Sequence, residues 1–461
     1  MNLGRRDPVQ RPLLFSAFVM NTASHILHGL WRRPDAGQVH FASLQFWIDL
    51  VRELEQGGFD VIFFADVHGV YGRPRNSLRK YLEAGLQIPS HDPAALMSAL
   101  AAATSRLGLA FTSSIVQEHP FQFARKMSTL DHASGGRIAW NVVTNGLENG
   151  ARNFGLPGLT PHDERYAWAE EYMEVVYKLW EGSWDDGALL QDRARGIHAD
   201  PAHVHRIDHV GKYYAVEGPH LAAPSPQRTP LLFQAGSSPT GMRFAARHAE
   251  AQFLITPAPA VAAKVIGETR ALMQAGGRQP DDIRFFQGLS FVIGSTEEEV
   301  ARKDRELDEA IDHEAMVAHL GGVMDVDLDH CDMDQPIREL TTQGAQSLLD
   351  WVRAAVTDRE PTVRDIGMLA ARASRVSGTP AQIADRLVEW QRAGIDGINV
   401  FNATIPGSYR DFIAHVMPVL RARGLASRED AAGTLRGRLF GHDRLQPPHP
   451  GAAWRGRFAA T

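Results

Sequence analysis

The sequence predicts an α/β fold, a closed barrel of eight parallel strands surrounded by helices. Eight short apolar segments recur along the chain, at 13–20, 61–65, 107–112, 138–143, 231–234, 252–255, 283–293 and 398–401. Amphipathic segments of helical period, such as 44–56 and 166–180, lie between most of them. Strands that are apolar on both faces and alternate with helices indicate a parallel sheet covered by helices. Eight such units favour a (β/α)8 TIM barrel over an open, doubly wound sheet.

The composition is that of a folded globular protein, with 44 % hydrophobic and 22 % charged residues among 461. The 48 basic and 54 acidic residues are spread along the chain, so we expect no nucleic-acid partner. No apolar run approaches the roughly 20 residues that span a bilayer, so we expect no membrane association. The single cysteine, Cys331, permits no disulfide within the chain, and we expect a cytoplasmic protein.

We expect residues 1–425 to form one barrel domain and residues 426–461 to form a C-terminal extension that wraps the surface or contacts another subunit. Two insertions, at about 185–226 and 310–378, interrupt the alternation of strands and helices. The first is polar, and its residues 212–214 resemble one strand of a small hairpin. We expect its histidines to be solvated; they are His198, His203, His205 and His209. The second insertion follows the seventh strand and is a candidate lid, because loops after barrel strands lie over the active site.

Polar side chains stand at the ends of the predicted strands. Asp66 follows the second strand, Thr112 ends the third, and Asn141 and Asn145 lie at the end of the fourth. No pair of carboxylates and no cluster of His and Asp accompanies them, so we predict no metal site. Uncharged donors and acceptors suit a large polar heterocycle that itself supplies the difficult chemistry.

A Gly-Ser-Ser-Pro motif at 236–239 separates the fifth strand from a helix predicted over 240–248. The glycine permits close backbone approach, and the helix N-terminus with two serine hydroxyls could hold a phosphate. A serine N-cap followed by proline explains the same residues, and the motif alone favours this structural interpretation. No GxGxxG or GxxxxGK[ST] motif supports a Rossmann or P-loop site.

His25 and His28 follow the first strand at a spacing that also occurs among metal ligands. No acidic residue lies near them in sequence. Their position at the barrel mouth favours contact with substrate or flavin over metal binding, and a structural role is an alternative of equal weight.

Several motifs together resemble one known family. The longest comprises 119–121, 130–131 and 135–144, and the shorter ones are 20–21, 28–31, 64–67, 162–166, 207–214 and 234–238. These motifs resemble the bacterial luciferase-like flavin-dependent monooxygenases, in the branch of the nitrilotriacetate, dibenzothiophene-sulfone and long-chain-alkane monooxygenases. The matches run in order from about residue 15 to 256 and resume at 378–399.

The resemblance implies an enzyme that uses reduced flavin mononucleotide (FMN) and O2 to oxygenate a small organic substrate, with the flavin reduced by a separate NAD(P)H-dependent reductase. The cofactor-binding positions that it implies are Asp66, Thr112, Asn141, Asn145, His162, Tyr166, Gly236, Ser237 and Ser238. The substrate-pocket positions that it implies are His25, His28, Tyr71 and Gln87, and no catalytic base is assigned. The family further implies a homodimer or homotetramer.

The alternative within the same superfamily is a deazaflavin-dependent oxidoreductase, which transfers hydride without O2. The motif at 162–166 and the long insertions argue against it. A metal-dependent barrel hydrolase and a flavin-binding protein without oxygenase turnover are more distant alternatives. The sequence does not select a substrate.

Overall fold

The computed structural model describes residues 11–71, 78–236, 238–324, 332–340, 349, 352, 353, 355–427 and 432–459. The strands in these ranges are β1 (Leu14–Met20), β2 (Val61–Ala65), β3 (Gly108–Ser114), β4 (Ile138–Val143), β5 (Leu189–Asp192), β6 (Ile197–Ala199), β7 (His209–Val210), β8 (Ala215–Val216), β9 (Leu231–Gln234), β10 (Ala251–Leu254), β11 (Arg284–Ile293), β12 (Arg375–Gly378) and β13 (Gly397–Phe401).

Eight of these strands close into a barrel. The parallel pairings run in the order β1, β2, β3, β4, β9, β10, β11 and β13, and β13 pairs with β1 to complete the circle. Each of the eight strand segments predicted from the sequence overlaps one of these strands, so the predicted TIM barrel is confirmed. Strand β12, which ends the second insertion, adds outside the circle to the second half of β11.

Helices cover the barrel and its two ends. They are α1 (Leu44–Gly57), α2 (Arg79–Glu83), α3 (Met97–Ala103), α4 (Pro120–Ser134), α5 (Glu148–Asn153), α6 (His162–Tyr177), α7 (Pro239–His248), α8 (Pro259–Ala275), α9 (Glu297–Ala310), α10 (His313–Met324), α11 (Val363–Arg372), α12 (Pro380–Arg392), α13 (Gly407–Asp411), α14 (Met417–Ala422) and α15 (Leu435–Phe440). π-helical turns at Lys178–Gly182 and Phe412–Val416 extend α6 and join α13 to α14. Local sequence explains the helix ends: for example, Thr379 and Gln382 form a capping box at the start of α12.

The barrel strands bury two separate sets of side chains, as period-2 alternation requires. One set packs outward against the helices, for example Ala17 and Val19 of β1. The other set belongs to a second cluster dominated by phenylalanine, in which the ring of Phe18 lies 5.3 Å from Phe63, 4.9 Å from Phe253 and 5.2 Å from Phe401. The interior of the barrel is therefore a packed core, and room for a ligand remains at its ends.

The first insertion differs from its prediction in detail. Residues 212–214 form the turn of a hairpin, and the paired strands are the flanking β7 and β8. His209 is not solvated: it is 5 % exposed, and its ring nitrogens lie 2.8 Å from Lys178 Nζ and 3.3 Å from Glu171 Oε1. Burial of the lysine and the histidine fixes the hairpin to α6.

The second insertion contains α10 and α11 and follows α9. Helices α10 and α11 form their own small core, in which Val317 and Ile366 are fully buried with Leu86 from the loop after α2. Cys331 lies outside the described residues. No helix in the described part of the chain is long and apolar enough to cross a membrane.

The C-terminal extension does more than wrap the surface. Leu435 and Arg436 of α15 are fully buried, and Leu435 packs in the phenylalanine cluster at the N-terminal end of the strands. The Arg436 guanidinium donates to both carboxylate oxygens of Glu250, at 2.6 and 2.8 Å, and to the backbone oxygens of Thr229 and Pro230. The tail thereby closes one end of the barrel with a buried ion pair.

We expect Arg436→Ala to lower the free energy of unfolding by about 3–5 kcal/mol, because the Glu250 carboxylate would stay buried without its partner. Denaturant unfolding followed by tryptophan fluorescence measures the change. Arg410→Ala is the matched control, since it breaks an exposed bidentate pair with Glu53 and should cost about 0–1 kcal/mol. Equal, small losses in both variants would contradict the assignment.

Candidate functional site

A cavity of about 410 Å³ opens at the carboxyl ends of the barrel strands. Its wall is made of the residues that follow β2, β4 and β9, together with the first turns of α6. The polar side chains that line it are Asp66, His68, Tyr71, Ser114, Thr144, Asn145, His162, Arg165, Tyr166 and Gln234. The cavity thus brings together six of the positions selected from the sequence, namely Asp66, Tyr71, Asn145, His162, Tyr166 and Gly236.

Asp66 is the first residue after β2 and is almost completely buried. Its side chain is 7 % exposed, and Oδ1 accepts a hydrogen bond from the Val67 backbone N–H at 2.9 Å. Burial raises the pKa of Asp66 to about 7, and the Asp92 carboxylate acts in the same direction, while the Val67 N–H opposes it. This carboxyl group therefore titrates near neutral pH instead of being permanently ionised.

The loop that carries Asp66 and His68 is fastened to α5. The Asn153 side chain donates to the backbone oxygen of His68 at 3.1 Å, and the Asn149 side chain accepts from the Val70 N–H at 3.1 Å. The ring of His68 also meets the ring of Phe154 edge-on at 5.7 Å. A segment held at several points gives its side chains a defined position in the cavity wall.

Tyr166 lies on the first turns of α6, and its hydroxyl stands between two glycines. A Cβ atom on Gly236 or on Gly241 would come within 2.8 Å of the Tyr166 Oη, so both positions require glycine for this close approach. The Gln234 side chain reaches the same hydroxyl at 3.5 Å. Burial raises the pKa of Tyr166, so the phenol keeps its proton and remains a hydrogen-bond donor.

The N-termini of α6 and α7 meet at one edge of the cavity. Ser238 caps α7 by accepting from the Gly241 N–H at 3.0 Å, and its hydroxyl lies 3.1 Å from His162 Nε2. Both interpretations of the Gly-Ser-Ser-Pro motif, cap and anion site, are compatible with this geometry, because free N–H groups of helix N-termini attract anions. Ser237, between Gly236 and Ser238, lies outside the described residues.

Thr112 and Asn141 are among the selected residues that do not line the cavity. Thr112 of β3 and Asn141 of β4 are direct neighbours in the sheet, and the Asn141 amide donates to the Thr112 hydroxyl at 2.9 Å. Both side chains are buried. They connect two strands next to the cavity, and Asn141 Oδ1 is among the buried atoms for which the described residues offer no partner.

His28 and Gln87 belong to a second group of side chains beside the cavity, together with His319 and Tyr71. His28 lies 2.8 Å from the Ser24 hydroxyl and 2.6 Å from His319, whose ring meets that of Tyr71 at 4.6 Å. Gln87 hydrogen-bonds to Tyr71 and lowers its pKa, but burial dominates and raises it to about 12. His25 stands apart, with its ring 4.9 Å from Phe18.

Burial keeps all three of these histidines uncharged near neutral pH. It lowers the pKa of His25 to about 3, that of His319 to about 4 and that of His28 well below its usual value. The neighbouring imidazoles add to the shift for His25 and His28 because a second positive charge would repel the first. This side of the mouth is therefore polar but neutral.

Sequence reasoning missed three site residues. His68 and Arg165 line the cavity, and the sequence could have indicated both. His68 follows Asp66 by two positions, and Arg165 directly precedes Tyr166. No sequence pattern indicated His319, because it belongs to the second insertion and is 291 residues from its partner His28.

The wall of the cavity offers unused donors and acceptors. Buried atoms of the wall that lack a hydrogen-bond partner among the described residues include Asn145 Nδ2, Arg165 Nε and Gln234 Oε1. Such atoms cost free energy unless a ligand satisfies them. Donors, acceptors and one arginine fit a polar heterocycle that carries an anionic group. The described residues contain no group of three or more His, Cys, Asp or Glu side chains that could hold a metal ion.

Comparison with known proteins adds independent information. Residues 20–397 match the family described as luciferase-like monooxygenase. The chain is 38 % identical to the dimethyl-sulfide monooxygenase of Hyphomicrobium sulfonivorans, over 98 % of this chain and 95 % of that protein. It is 41 % identical to the long-chain alkane monooxygenase of Geobacillus thermodenitrificans, over 95 % of this chain and 97 % of that protein.

Solved structures agree with the fold. A riboflavin lyase crystallised with modified FMN and riboflavin superposes with a TM-score of 0.86 at 38 % identity, over 97 % of this chain and 100 % of the other. Two F420-dependent enzymes match at 15 and 13 % identity with TM-scores of 0.56 and 0.55, and with them only the fold is shared. The family match and the two curated relatives cover nearly the whole barrel. The chain is therefore a monooxygenase that belongs to the luciferase-like family.

Proposed function

We propose that this protein is the oxygenase component of a two-component system, which uses reduced FMN and O2 to insert one oxygen atom into a small organic substrate. A separate NAD(P)H-dependent flavin reductase would supply the reduced flavin. The observation that carries the proposal is the cavity, whose wall combines unused donors and acceptors with two helix N-termini. The riboflavin lyase that contains modified FMN supports the choice of flavin.

The proposed flavin site uses most of the residues selected from the sequence. Asp66 and Asn145 would contact the isoalloxazine ring, and Thr112 with Asn141 would support it from the neighbouring strands. His162, Tyr166, Gly236, Ser237 and Ser238 would hold the ribityl chain and the phosphate. Arg165 lines the same cavity and offers an unpaired guanidinium N–H toward an anion. The bound reduced flavin supplies the electrons that activate O2.

The protein's own contribution would be orientation and the exclusion of water. Helix α10 from the second insertion carries His319 to the rings of His28 and Tyr71, beside the cavity. Together with His25 and Gln87 these side chains form a polar, uncharged surface on which a small substrate could be oriented. We propose that the insertion acts as a lid over this surface.

A deazaflavin-dependent oxidoreductase is the alternative function. Solved F420-dependent enzymes share only the fold with this chain, whereas the monooxygenases are 38–41 % identical over nearly its whole length. We also propose that the protein forms a homodimer or homotetramer, which light scattering after size exclusion would test.

The proposed reaction is tested by a substrate screen with purified protein, FMN, NADH and an added flavin reductase. Dialkyl sulfides, alkanes, aromatic sulfones, aminopolycarboxylates and riboflavin represent the classes to try, and mass spectrometry with ¹⁸O2 identifies products. We expect one ¹⁸O atom in the product of at least one class. Turnover with deazaflavin but not with FMN would favour the alternative.

Tyr166→Phe should weaken FMN binding about two- to tenfold, because one hydrogen bond in the cavity is lost and the ring still packs against Phe244. The dissociation constant follows from flavin fluorescence. Tyr213→Phe is the matched control, since the Tyr213 ring stacks on Trp168 in the hairpin turn, outside the cavity. Unchanged affinity in Tyr166→Phe would count against the site.

His319→Gln should lower kcat/KM about ten- to hundredfold and leave FMN affinity unchanged, because it disturbs the proposed substrate surface and not the flavin site. Steady-state kinetics with the best substrate from the screen provides the measurement. His313→Gln, on the first turn of the same helix, is the control. If both variants turned over at the wild-type rate, the assignment of the substrate surface would be wrong.

A further inference from the structure

Asp66 and His68 place a carboxyl group and an imidazole side by side in the cavity wall. Oδ2 of Asp66 and Nδ1 of His68 are 3.8 Å apart, with side chains 7 % and 14 % exposed. A shift of about 1 Å in either side chain would bring these atoms to the length of a charge-assisted hydrogen bond. The other carboxylate oxygen is already engaged by the Val67 N–H, so Oδ2 is the atom that remains for His68.

The pair is held from outside the cavity by α5. Asn153 fixes the backbone of His68, and Phe154 contacts one edge of its ring. His68 Nε2 is buried and finds no partner among the described residues. The Gln117 side chain also approaches the ring closely enough to raise the pKa of His68, and Nδ1 is the ring nitrogen that faces Asp66.

The pair can exchange a proton near neutral pH. Burial raises the pKa of Asp66 to about 7, and burial lowers the pKa of His68. Among charged neighbours, Asp92, which caps the 3-10 helix at Pro93–Leu96, raises the pKa of both groups, and Lys126 on α4 lowers that of His68. As the pH rises through this region, the pair loses one proton and its charge changes from zero to −1.

We propose that Asp66 and His68 form an acid–base pair that keeps one exchangeable proton in the wall of the flavin cavity, with His68 as the positioning residue for the Asp66 carboxyl group. This inference rests on the proposed flavin site. In the transfer, the Nδ1–H bond of the imidazolium breaks and the Oδ2–H bond of the carboxylic acid forms, without net electron transfer.

The overall reaction explains why such a proton is useful. One substrate, one O2 and one reduced flavin give one oxygenated product, one water and one oxidised flavin. The second oxygen atom of O2 therefore has to receive protons inside the cavity, from which the bound flavin and the proposed lid would exclude bulk water. A carboxyl–imidazole pair in the wall can supply a proton there and recover it afterwards.

The first test measures dissociation constants for reduced FMN under anaerobic conditions between pH 5.5 and 8.5. At each pH, the dissociation constant of the wild type is divided by that of Asp66→Asn. Because the asparagine side chain does not titrate, this ratio removes the contribution from titration of the flavin itself. A negative wall repels the anionic reduced flavin, and the ratio should rise several-fold with a midpoint near pH 7. It can rise by at most about tenfold per pH unit, because one proton is linked.

The second test changes His68. His68→Phe keeps an aromatic ring against Phe154 but cannot donate to the carboxylate, so the midpoint should move to higher pH by about one unit. His68→Asn retains a short donor and should restore the midpoint without restoring turnover, because an amide cannot accept the proton. His198→Phe, on the exposed hairpin strand β6, is the matched control and should leave the midpoint in place.

Histidine-selective ¹³C NMR provides a readout that does not need flavin or turnover. The His68 signal, assigned by its loss in His68→Asn, should titrate at lower pH in Asp66→Asn, since the carboxylate that stabilises the imidazolium is gone. An unchanged His68 titration, or the wild-type midpoint in His68→Phe, would overturn the pairing. Absence of FMN binding by the wild type at every pH would instead reject the proposed function on which it rests.

Discussion

The closed barrel gathers the carboxyl ends of its parallel strands at one rim, and the polar side chains there cannot satisfy one another. Asn145 Nδ2, Arg165 Nε and Gln234 Oε1 are buried without a partner among the described residues. Each such atom costs about 1–3 kcal/mol when it stays unsatisfied. A sequence that keeps several of them around one cavity is arranged for a bound ligand with complementary donors and acceptors, and the rest of the site follows from that constraint.

Local patterns were sufficient for the barrel and for part of the site. Apolar strands separated by amphipathic helices predict the architecture, because the spacing of apolar residues distinguishes strands from helices. The residues at the strand ends identify Asp66 and Asn145 as candidates for the site. They do not reveal side-chain direction: Thr112 and Asn141 occupy paired positions in adjacent strands and bond to each other. The cap and anion interpretations of Ser238 likewise depend on where α6 lies, which no local motif specifies.

Contacts over long sequence separation account for what the sequence did not predict. His319 reaches His28 across 291 residues, because α10 and α11 of the second insertion have a small core of their own beside the mouth. His68 occupies its position because α5, eighty residues farther on, fixes its loop through Asn149 and Asn153. The sequence analysis placed Arg436 in a surface segment, because arginine is rarely buried without a charged partner. Its partner, Glu250, is 186 residues away, so no local pattern indicated the pair.

The two ends of the barrel solve the problem of buried polar groups in opposite ways. At the N-terminal end, Arg436 and Glu250 form a buried ion pair whose guanidinium also donates to backbone oxygens, and this network anchors the tail. At the mouth, the buried histidines are neutral and Asp66 titrates near pH 7, so apart from the Arg165 guanidinium the described wall carries little uncompensated charge. Removing water from uncharged side chains costs less free energy than removing it from charged ones, so a ligand can bind at the mouth without a large desolvation penalty. The ion pair at the opposite end stabilises the barrel.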